Sequence, residues 1–177
     1  MKIYKIIPKT SVLGKGERFG LWVQGCNKRC KGCLVPDSWD ESLGNEIEID
    51  KIVDIFIKSD VNGITISGGE PLLQSEEILE FLKRIKNKKD IDVILYTGFE
   101  LRDIINNPLL KEIDLLIDGE YIEELNDNTP LIGSNNQNVY ILSDKGMELF
   151  EYMKEKKGRE IEIFEGFIAG IPFKEIL

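Results

Sequence analysis

Short β-branched runs alternate along this chain with stretches whose apolar residues recur at helical spacing, and no other feature narrows the fold as much. Residues 19–24 (Phe-Gly-Leu-Trp-Val-Gln) read as a strand. Residues 49–59 place Ile49, Ile52, Val53, Ile55, Phe56 and Ile57 at helical spacing, with Asp50 near the start. Gly63-Ile64-Thr65-Ile66-Ser67 is a strand ending in Gly68-Gly69. Ser75 opens a second helix with Glu76 and Glu77 in its first turn and lysines at its end, and its expected buried face is Ile78, Leu79, Leu82 and Ile85. Further strands are expected at 91–96, 113–117 and 139–142, a short helix at 100–105, a mostly loop segment at 120–138, a helix at 144–157 and a strand at 160–164. This order predicts a single α/β domain, 1–177, with a mostly parallel sheet covered by helices. Ligands of such folds bind beyond the carboxyl ends of the strands. The segment after residue 25, Gly68-Gly69-Glu70, Tyr96-Thr97-Gly98 and Asp118 are therefore expected on one rim.

Composition removes whole classes of chemistry. The sequence has no histidine, which excludes histidine-based triads and proton shuttles. Lys+Arg 23 against Asp+Glu 32 gives a net charge of −9, the wrong sign for a general nucleic-acid binder. No apolar run approaches the roughly 20 residues of a membrane span. The first eight residues, Met-Lys-Ile-Tyr-Lys-Ile-Ile-Pro, lack a signal-peptide core, so a cytoplasmic location is expected. A dinucleotide site would need G-x-G-x-x-G after a strand. The nearest stretch, 14–20, has the wrong final spacing and no clear strand before it, and no P-loop occurs.

All three cysteines lie in Cys26-Asn27-Lys28-Arg29-Cys30-Lys31-Gly32-Cys33, a C-x3-C-x2-C run too polar for a core segment. An odd count in a reducing compartment points to a metal or a reactive thiol rather than a disulfide framework. Zinc would ask for a fourth ligand, and only a carboxylate such as Asp37 is on offer. Four-iron clusters usually take four cysteines, so three leave one iron open to an exogenous ligand. Lys28, Arg29 and Lys31 add positive charge there, as ordinary loop charge or to favour the thiolates. The glycine pair after residues 63–67 either makes a plain strand-to-helix turn or lets backbone approach a ligand closely.

The cysteine run resembles the signature of the radical S-adenosylmethionine superfamily, and Gly68-Gly69-Glu70 resembles its Gly-Gly-Glu motif. Within that superfamily the 25–39 segment (GCNKRCKGCLVPDSW) is similar to the cysteine loop of the glycyl-radical activating enzymes, closest to that of anaerobic ribonucleotide reductase activating proteins. Tyr96-Thr97-Gly98-Phe99, the acidic strand end at Asp118-Gly119 and Gly133-Ser134-Asn135-Asn136-Gln137 are similar to further segments of that branch, so the likeness spans about 3–142.

This resemblance implies a partial (β/α) barrel, with a core of about 15–142 and a C-terminal extension of about 143–177. It implies a [4Fe-4S] cluster held by Cys26, Cys30 and Cys33 and S-adenosylmethionine chelating the open iron. Gly68, Gly69 and Glu70 would take the methionyl amino group, backbone at Gly32, Cys33 and Leu34 would line the cofactor, and Asp118 would offer a polar contact or a turn cap. The implied reaction is reductive cleavage of S-adenosylmethionine to a 5′-deoxyadenosyl radical that removes a glycine Cα hydrogen from a glycyl-radical enzyme. A flavodoxin or ferredoxin would supply the electron. The rivals are a radical enzyme acting on a peptide or small molecule, an iron–sulfur electron carrier and a zinc-binding module. Two departures stand out. Val35 replaces a common Asn, and the downstream His of pyruvate formate-lyase activators is missing. Trp22, Trp39, Tyr96 and Phe99 are either core or adenine-stacking residues. The tail from Phe164 to Phe173 is either a final strand and cap or a docking surface for a partner.

Overall fold

The computed structural model describes residues 1–176. A seven-stranded sheet runs through it, and its middle follows the expected alternation. Strand β1 (Lys2–Thr10) pairs antiparallel with β2 (Arg18–Val23) and, on its other side, with the two-residue β3 (Asn45–Glu46). Then β2, β4 (Gly63–Gly68), β5 (Asp92–Tyr96) and β6 (Leu115–Asp118) lie parallel in that order, and β7 (Asn138–Ile141) closes the row antiparallel to β6. The order β3-β1-β2-β4-β5-β6-β7 makes an open sheet with β3 and β7 at its edges. The architecture is a single mixed α/β domain with a mostly parallel centre.

One face of the sheet is covered by α1 (Ile49–Ser59) and α2 (Ser75–Lys86). Phe19, Leu21, Val23, Ile64, Ile66, Val93 and Leu95 meet Ile52, Val53 and Phe56 of α1 and Ile78, Phe81, Leu82 and Ile85 of α2. The expected face of α2 therefore needs one exchange. Phe81 is fully buried and stacks edge-on to Phe56, while Leu79 is only half-buried. The short helix α3 (Leu101–Ile104) and a 3-10 turn at Pro108–Glu112 lead into β6.

The other face is covered in two patches with a gap between them. Over β5–β7, helix α4 (Asp144–Glu155) packs Leu149 and Met153 against Ile94, Leu115 and Ile117. Over β1–β2, a separate hairpin of β8 (Ile161–Phe164) and β9 (Phe167–Gly170) buries Ala169 with Ile7, Val12, Leu13 and Trp22. The gap exposes Trp22, Thr65, Ser67 and Tyr96, the inward side chains of three parallel strands.

The sheet is shut at the other end by a cation. Arg18, the first residue of β2, is 0% exposed. Its guanidinium donates to Thr65 Oγ1 at 2.8 Å and to the Ile64 carbonyl at 2.7 Å, and it pairs with Asp92 at 2.5 Å. Gly63 leaves room for it, since a Cβ there would sit 2.5 Å from Arg18 Nη1.

Two strands were not foreseen. Lys and Pro break the periodicity of β1, which lies antiparallel beside β2, so the glycine-rich 11–17 segment connects a hairpin at the amino end of β2. A strand does precede that segment, contrary to expectation, but it does not lead into a helix as a nucleotide-binding turn requires. The two-residue β3 is too short to carry a pattern.

Candidate functional site

Beyond the carboxyl ends of β2, β4, β5 and β6 a cavity of about 190 Å³ opens onto the gap. Its wall includes Cys26, Cys30, Cys33 and Leu34 from the loop after β2, Gly68, Gly69 and Glu70 after β4, Thr97 and Gly98 after β5, and Gly119 after β6. The three segments expected to share a rim with the cysteines' loop do so, with Gly119 in place of its neighbour Asp118.

Backbone hydrogen bonds tie the cysteine loop to the glycine turn. Gly69 N–H donates to Val23 O at 2.9 Å and Glu70 N–H to Gly25 O at 2.8 Å. The far limb of the loop returns through Gly25 N–H to Ser38 O at 2.8 Å and Cys26 N–H to Trp39 O at 3.1 Å. The Gln24 amide holds it further by donating to the Asp37 and Asp40 carbonyls at 2.8 and 2.7 Å. Only glycine fits this crossing. A Cβ on Gly69 would lie 2.2 Å from Gly25 O, and one on Gly68, where φ is 107°, would lie 2.5 Å from the Val23 nitrogen. The paired glycines thus serve a close backbone approach, and what they approach first is the base of the cysteine loop.

Within the loop, Cys33 N–H donates to Cys30 O at 3.1 Å, and Gly32 makes that turn at φ 73°. Gly32 is exposed, faces Glu123 rather than the cavity, and is not on the wall. All three cysteines are free and half-buried. Burial pushes the Cys30 thiol up; the Tyr121 backbone amide opposes this, while Glu120 and the other two sulfurs add to it. Lys28 is not a solvated loop charge. Its ammonium lies 4.0 Å from the Phe99 ring centroid and 3.2 Å from Glu120, and its stem crosses Gly98. It therefore fastens the middle of the cysteine run to the ends of β5 and β6. Lys31 and Arg29 remain exposed, with Lys31 pairing Glu124 at 2.9 Å.

Glu70 is 1% exposed. Oε1 accepts from Thr97 Oγ1 at 2.7 Å and from Leu72 N–H at 3.0 Å, and Oε2 accepts from Gly98 N–H at 2.7 Å. Burial raises its pKa above the usual carboxylate value, with these donors and Lys28 pulling the other way. Its side chain clamps the β4 turn to the β5 turn. Asp118 is fully buried and off the cavity wall. Its Oδ2 accepts from Leu101 N–H at 2.6 Å and its Oδ1 from Asn138 Nδ2 at 3.0 Å, so it caps α3 and holds β7. Of the two expected roles, the geometry matches the cap.

Other wall residues carried little sequence signal. Val12 and Leu13 precede β2, and Ile168, Gly170 and Ile171 come from the hairpin and the residue after it. Gln137 Oε1 accepts from Gly133 N–H at 2.9 Å and its Nε2 donates to Gly119 O at 2.9 Å, which closes the 133–137 segment against β6. Tyr96 is on the wall, but its hydroxyl is committed to Leu131 O at 2.7 Å and burial pushes its pKa far up. Phe99 is off the wall, under Lys28. Trp39 lines the cavity, and its buried indole N–H has no acceptor among the described residues.

The donor set fits an iron–sulfur cluster better than one metal ion. Three thiols face one cavity, no histidine exists to join them, and Asp37 is exposed and off the wall. Among the described residues no three His, Cys, Asp or Glu side chains converge as a single ion requires. A cubane spreads its thiolates over separate corners instead.

An α/β domain carrying a three-thiol loop and a glycine crossing at the strand ends has the donor set and the setting of an iron–sulfur protein. Residues 12–140 match the family described as a 4Fe-4S single cluster domain. The chain is 34% identical over 153 residues to the anaerobic ribonucleoside-triphosphate reductase-activating protein of Haemophilus influenzae, covering 79% of this chain and 97% of that one. It is 31% identical over 150 residues to the protein of the same name from Enterobacteria phage T4, covering 81% and 96%. It is 30% identical over 156 residues to pyruvate formate-lyase 1-activating enzyme of Escherichia coli, covering 82% of this chain and 59% of that enzyme. The chain belongs to the 4Fe-4S single-cluster family, in the glycyl-radical activating branch of the radical S-adenosylmethionine enzymes, with a 4Fe-4S cluster and S-adenosylmethionine as cofactors.

Proposed function

We propose that this chain activates a glycyl-radical enzyme of the anaerobic ribonucleoside-triphosphate reductase kind by abstracting hydrogen from a backbone glycine. The observation that carries this reading is the sharing of one cavity by Cys26, Cys30, Cys33 and the Gly68–Gly69–Glu70 turn, joined through Glu70 N–H to Gly25 O at 2.8 Å. Cys26, Cys30 and Cys33 are the cluster ligands in this proposal. When bound, the cluster and S-adenosylmethionine supply the electron and the 5′-deoxyadenosyl radical. The chain's own residues do the rest. Gly68 and Gly69 would offer backbone to the methionyl ammonium, Leu34 would give the site an apolar side chain beside the Cys33 backbone, and Glu70 and Lys28 keep the strand-end loops in register. The turn at Gly32 acts indirectly, by setting the spacing of Cys30 and Cys33. For Asp118 the direct-contact reading is set aside in favour of the cap.

In this reading the open sheet is a partial (β/α) barrel with a radical enzyme core of about 15–142 and an extension of about 143–177. The site of action is the cytoplasm, with a flavodoxin- or ferredoxin-type electron donor. Among the described residues no helix is long and apolar enough to cross a membrane.

Anaerobic reconstitution with iron and sulfide, followed by reductant and S-adenosylmethionine, tests the chemistry. 5′-Deoxyadenosine is expected, together with a glycyl-radical doublet in the spectrum of an added partner. Cys30→Ser should lose both the cluster absorbance and the product. A Cys30→Ser protein that keeps a full complement of iron would refute the ligand assignment.

A further inference from the structure

The β8–β9 hairpin lies beyond residue 140, where the family match ends, and it forms one wall of the cavity. Its inner face is anchored. Glu162 accepts from the Thr10 and Ser11 hydroxyls, both at 2.7 Å, and the Phe167 ring stands edge-on to Trp22 at 4.8 Å. Ile168 and Gly170 of β9 line the cavity, and no residue of β8 does, so β9 is the strand on the cavity side.

The register shows which backbone groups β9 leaves open. Glu165 and Gly166 form a two-residue turn with φ of 47° and 82°, the primed geometry that closes a hairpin on a hydrogen-bonded pair. That pair is Phe164↔Phe167, and pairs alternate from there. Ile163↔Ile168 and Ile161↔Gly170 are then non-hydrogen-bonded pairs, so the N–H and C=O of Ile168 and the N–H of Gly170 point away from β8, while Gly170 itself leaves the extended conformation at φ 88°. The two β9 residues with open backbone groups are the same two that line the cavity. Among the described residues β9 pairs with no other strand, and these groups have no other backbone partner.

Soluble proteins usually blunt such an edge with charge or proline. Residues Phe167–Gly170, read Phe-Ile-Ala-Gly, carry neither. On the outer face Ile163 and Ile168, cross-strand neighbours, are 69% and 41% exposed.

We infer that β9 is the docking edge for the glycine-bearing segment of the partner, which adds to the hairpin as a third strand at the cavity mouth. This inference rests on the glycyl-radical activating function proposed above. The chemistry of the target selects the mode of recognition. A glycine offers no side chain to grip, so a catalyst that acts on its Cα must hold the backbone on either side. A strand edge does this with paired N–H and C=O groups, while alternate side chains of the segment supply specificity. A segment paired to Ile168 and Gly170 runs along the cavity wall, and its apolar side chains extend and cover the Ile163–Ile168 stripe.

The test uses the reconstituted holoenzyme and the intact partner, with amide hydrogen exchange read at single residues. Partner binding should slow exchange at Ile168 and Gly170 at least about tenfold and leave Phe167 and Ala169, already bonded to β8, unchanged. A second arm scans a synthetic peptide spanning the partner's glycine by N-methylation at successive residues. Affinity should fall by about tenfold at every other position, near the free energy of one backbone hydrogen bond. Glycyl radical formation without protection at Ile168 and Gly170, or N-methyl losses without a two-residue alternation, would overturn the docking edge. 5′-Deoxyadenosine formed without partner is measured on the same sample. Its absence counts against the proposed function, whereas its presence with no edge protection counts against the docking edge alone.

Discussion

Replacing Gly69 with alanine tests whether the glycine pair holds the cysteine loop in place. The added methyl would lie 2.2 Å from the Gly25 carbonyl oxygen, 2.8 Å from its carbon and 3.1 Å from Ser38 O, all of them backbone atoms that cannot swing aside. Restoring an ordinary contact of about 3.4 Å requires the two chains to part by roughly 1.2 Å at a tightly packed crossing. That displacement stretches the 2.8 Å bond from Glu70 N–H to Gly25 O beyond hydrogen-bonding range. The lost bond costs about 1 kcal/mol and its stranded donor about 1–3 more. Residual overpacking adds about 1–3. The sum is about 3–7 kcal/mol against a typical total of 5–15. Gly69→Ala should therefore fold in the cold, unfold at much lower denaturant, and bind markedly less iron after reconstitution. Gly158→Ala is the control, because the nearest atom to its Cβ is 4.0 Å away. Guanidinium titration of the apoprotein and iron analysis of reconstituted samples give both readouts. A Gly69→Ala protein within about 0.5 kcal/mol of the parent, with full iron, would refute the idea that this crossing positions the thiols.

The parallel centre and the rim were legible because their signals are local. Residues 63–69 announce a strand and its glycine end, and the cysteine run carries its own spacing. The 133–137 segment is recognisable as a motif, yet its work, the Gln137 amide bridging Gly133 and Gly119, requires two chain segments to meet. What was illegible depends on distant partners. Lys28 looks like loop charge until Gly98, Phe99 and Glu120 arrive from two other strand ends. Phe81 escaped the helical reading because it borders the stripe and is drawn in by Phe56. Glu70 invites a direct role with a cationic ligand, but Thr97 and Gly98 occupy its carboxylate first.

Two buried arginines explain how a small chain keeps one end of its sheet open. At the amino ends of the strands, Arg18 fills the space beside Thr65 with a cation whose partners are Thr65, the Ile64 carbonyl and Asp92, and Arg18 itself is fully buried. At the carboxyl ends the cavity opens instead, with Thr65 and Ser67 on its wall. Arg159, between α4 and β8, acts from the side. It donates to the carbonyls of Thr129 at 3.1 Å, Ile132 at 2.7 Å and Pro172 at 2.7 Å, joining the 129–133 segment to the tail. Leu131 and Gly133 on one side of that junction and Ile171 on the other all line the cavity. The extension is thus built into the wall through hydrogen bonds to carbonyl oxygens, an arrangement that a planar five-donor side chain meets and a lysine does not.

Two further outcomes follow from these charges. Asp92→Ala should cost about 3–5 kcal/mol in denaturant titration, since it strands a fully buried guanidinium; a loss below about 1 kcal/mol would mean that Thr65 and the Ile64 carbonyl suffice. The second concerns Glu162, which ties the hairpin to Thr10 and Ser11. Partial burial pushes its carboxyl up, but the Thr10 hydroxyl and the Ser11 hydroxyl and amide together hold it below its ordinary value of 4.5. A carboxylate with a depressed folded pKa contributes stability that is fully present above the unfolded pKa and is lost as pH falls through the folded one. The hairpin should therefore stay docked above about pH 4.5 and loosen below it. Amide exchange at Ala169, whose side chain is buried under the hairpin, should accelerate as pH drops through that window once the intrinsic pH dependence of exchange is removed. In Glu162→Gln the same amide should exchange faster at neutral pH and show no acid-linked step. An acid step of unchanged size in the Gln variant would show that another group holds the hairpin down.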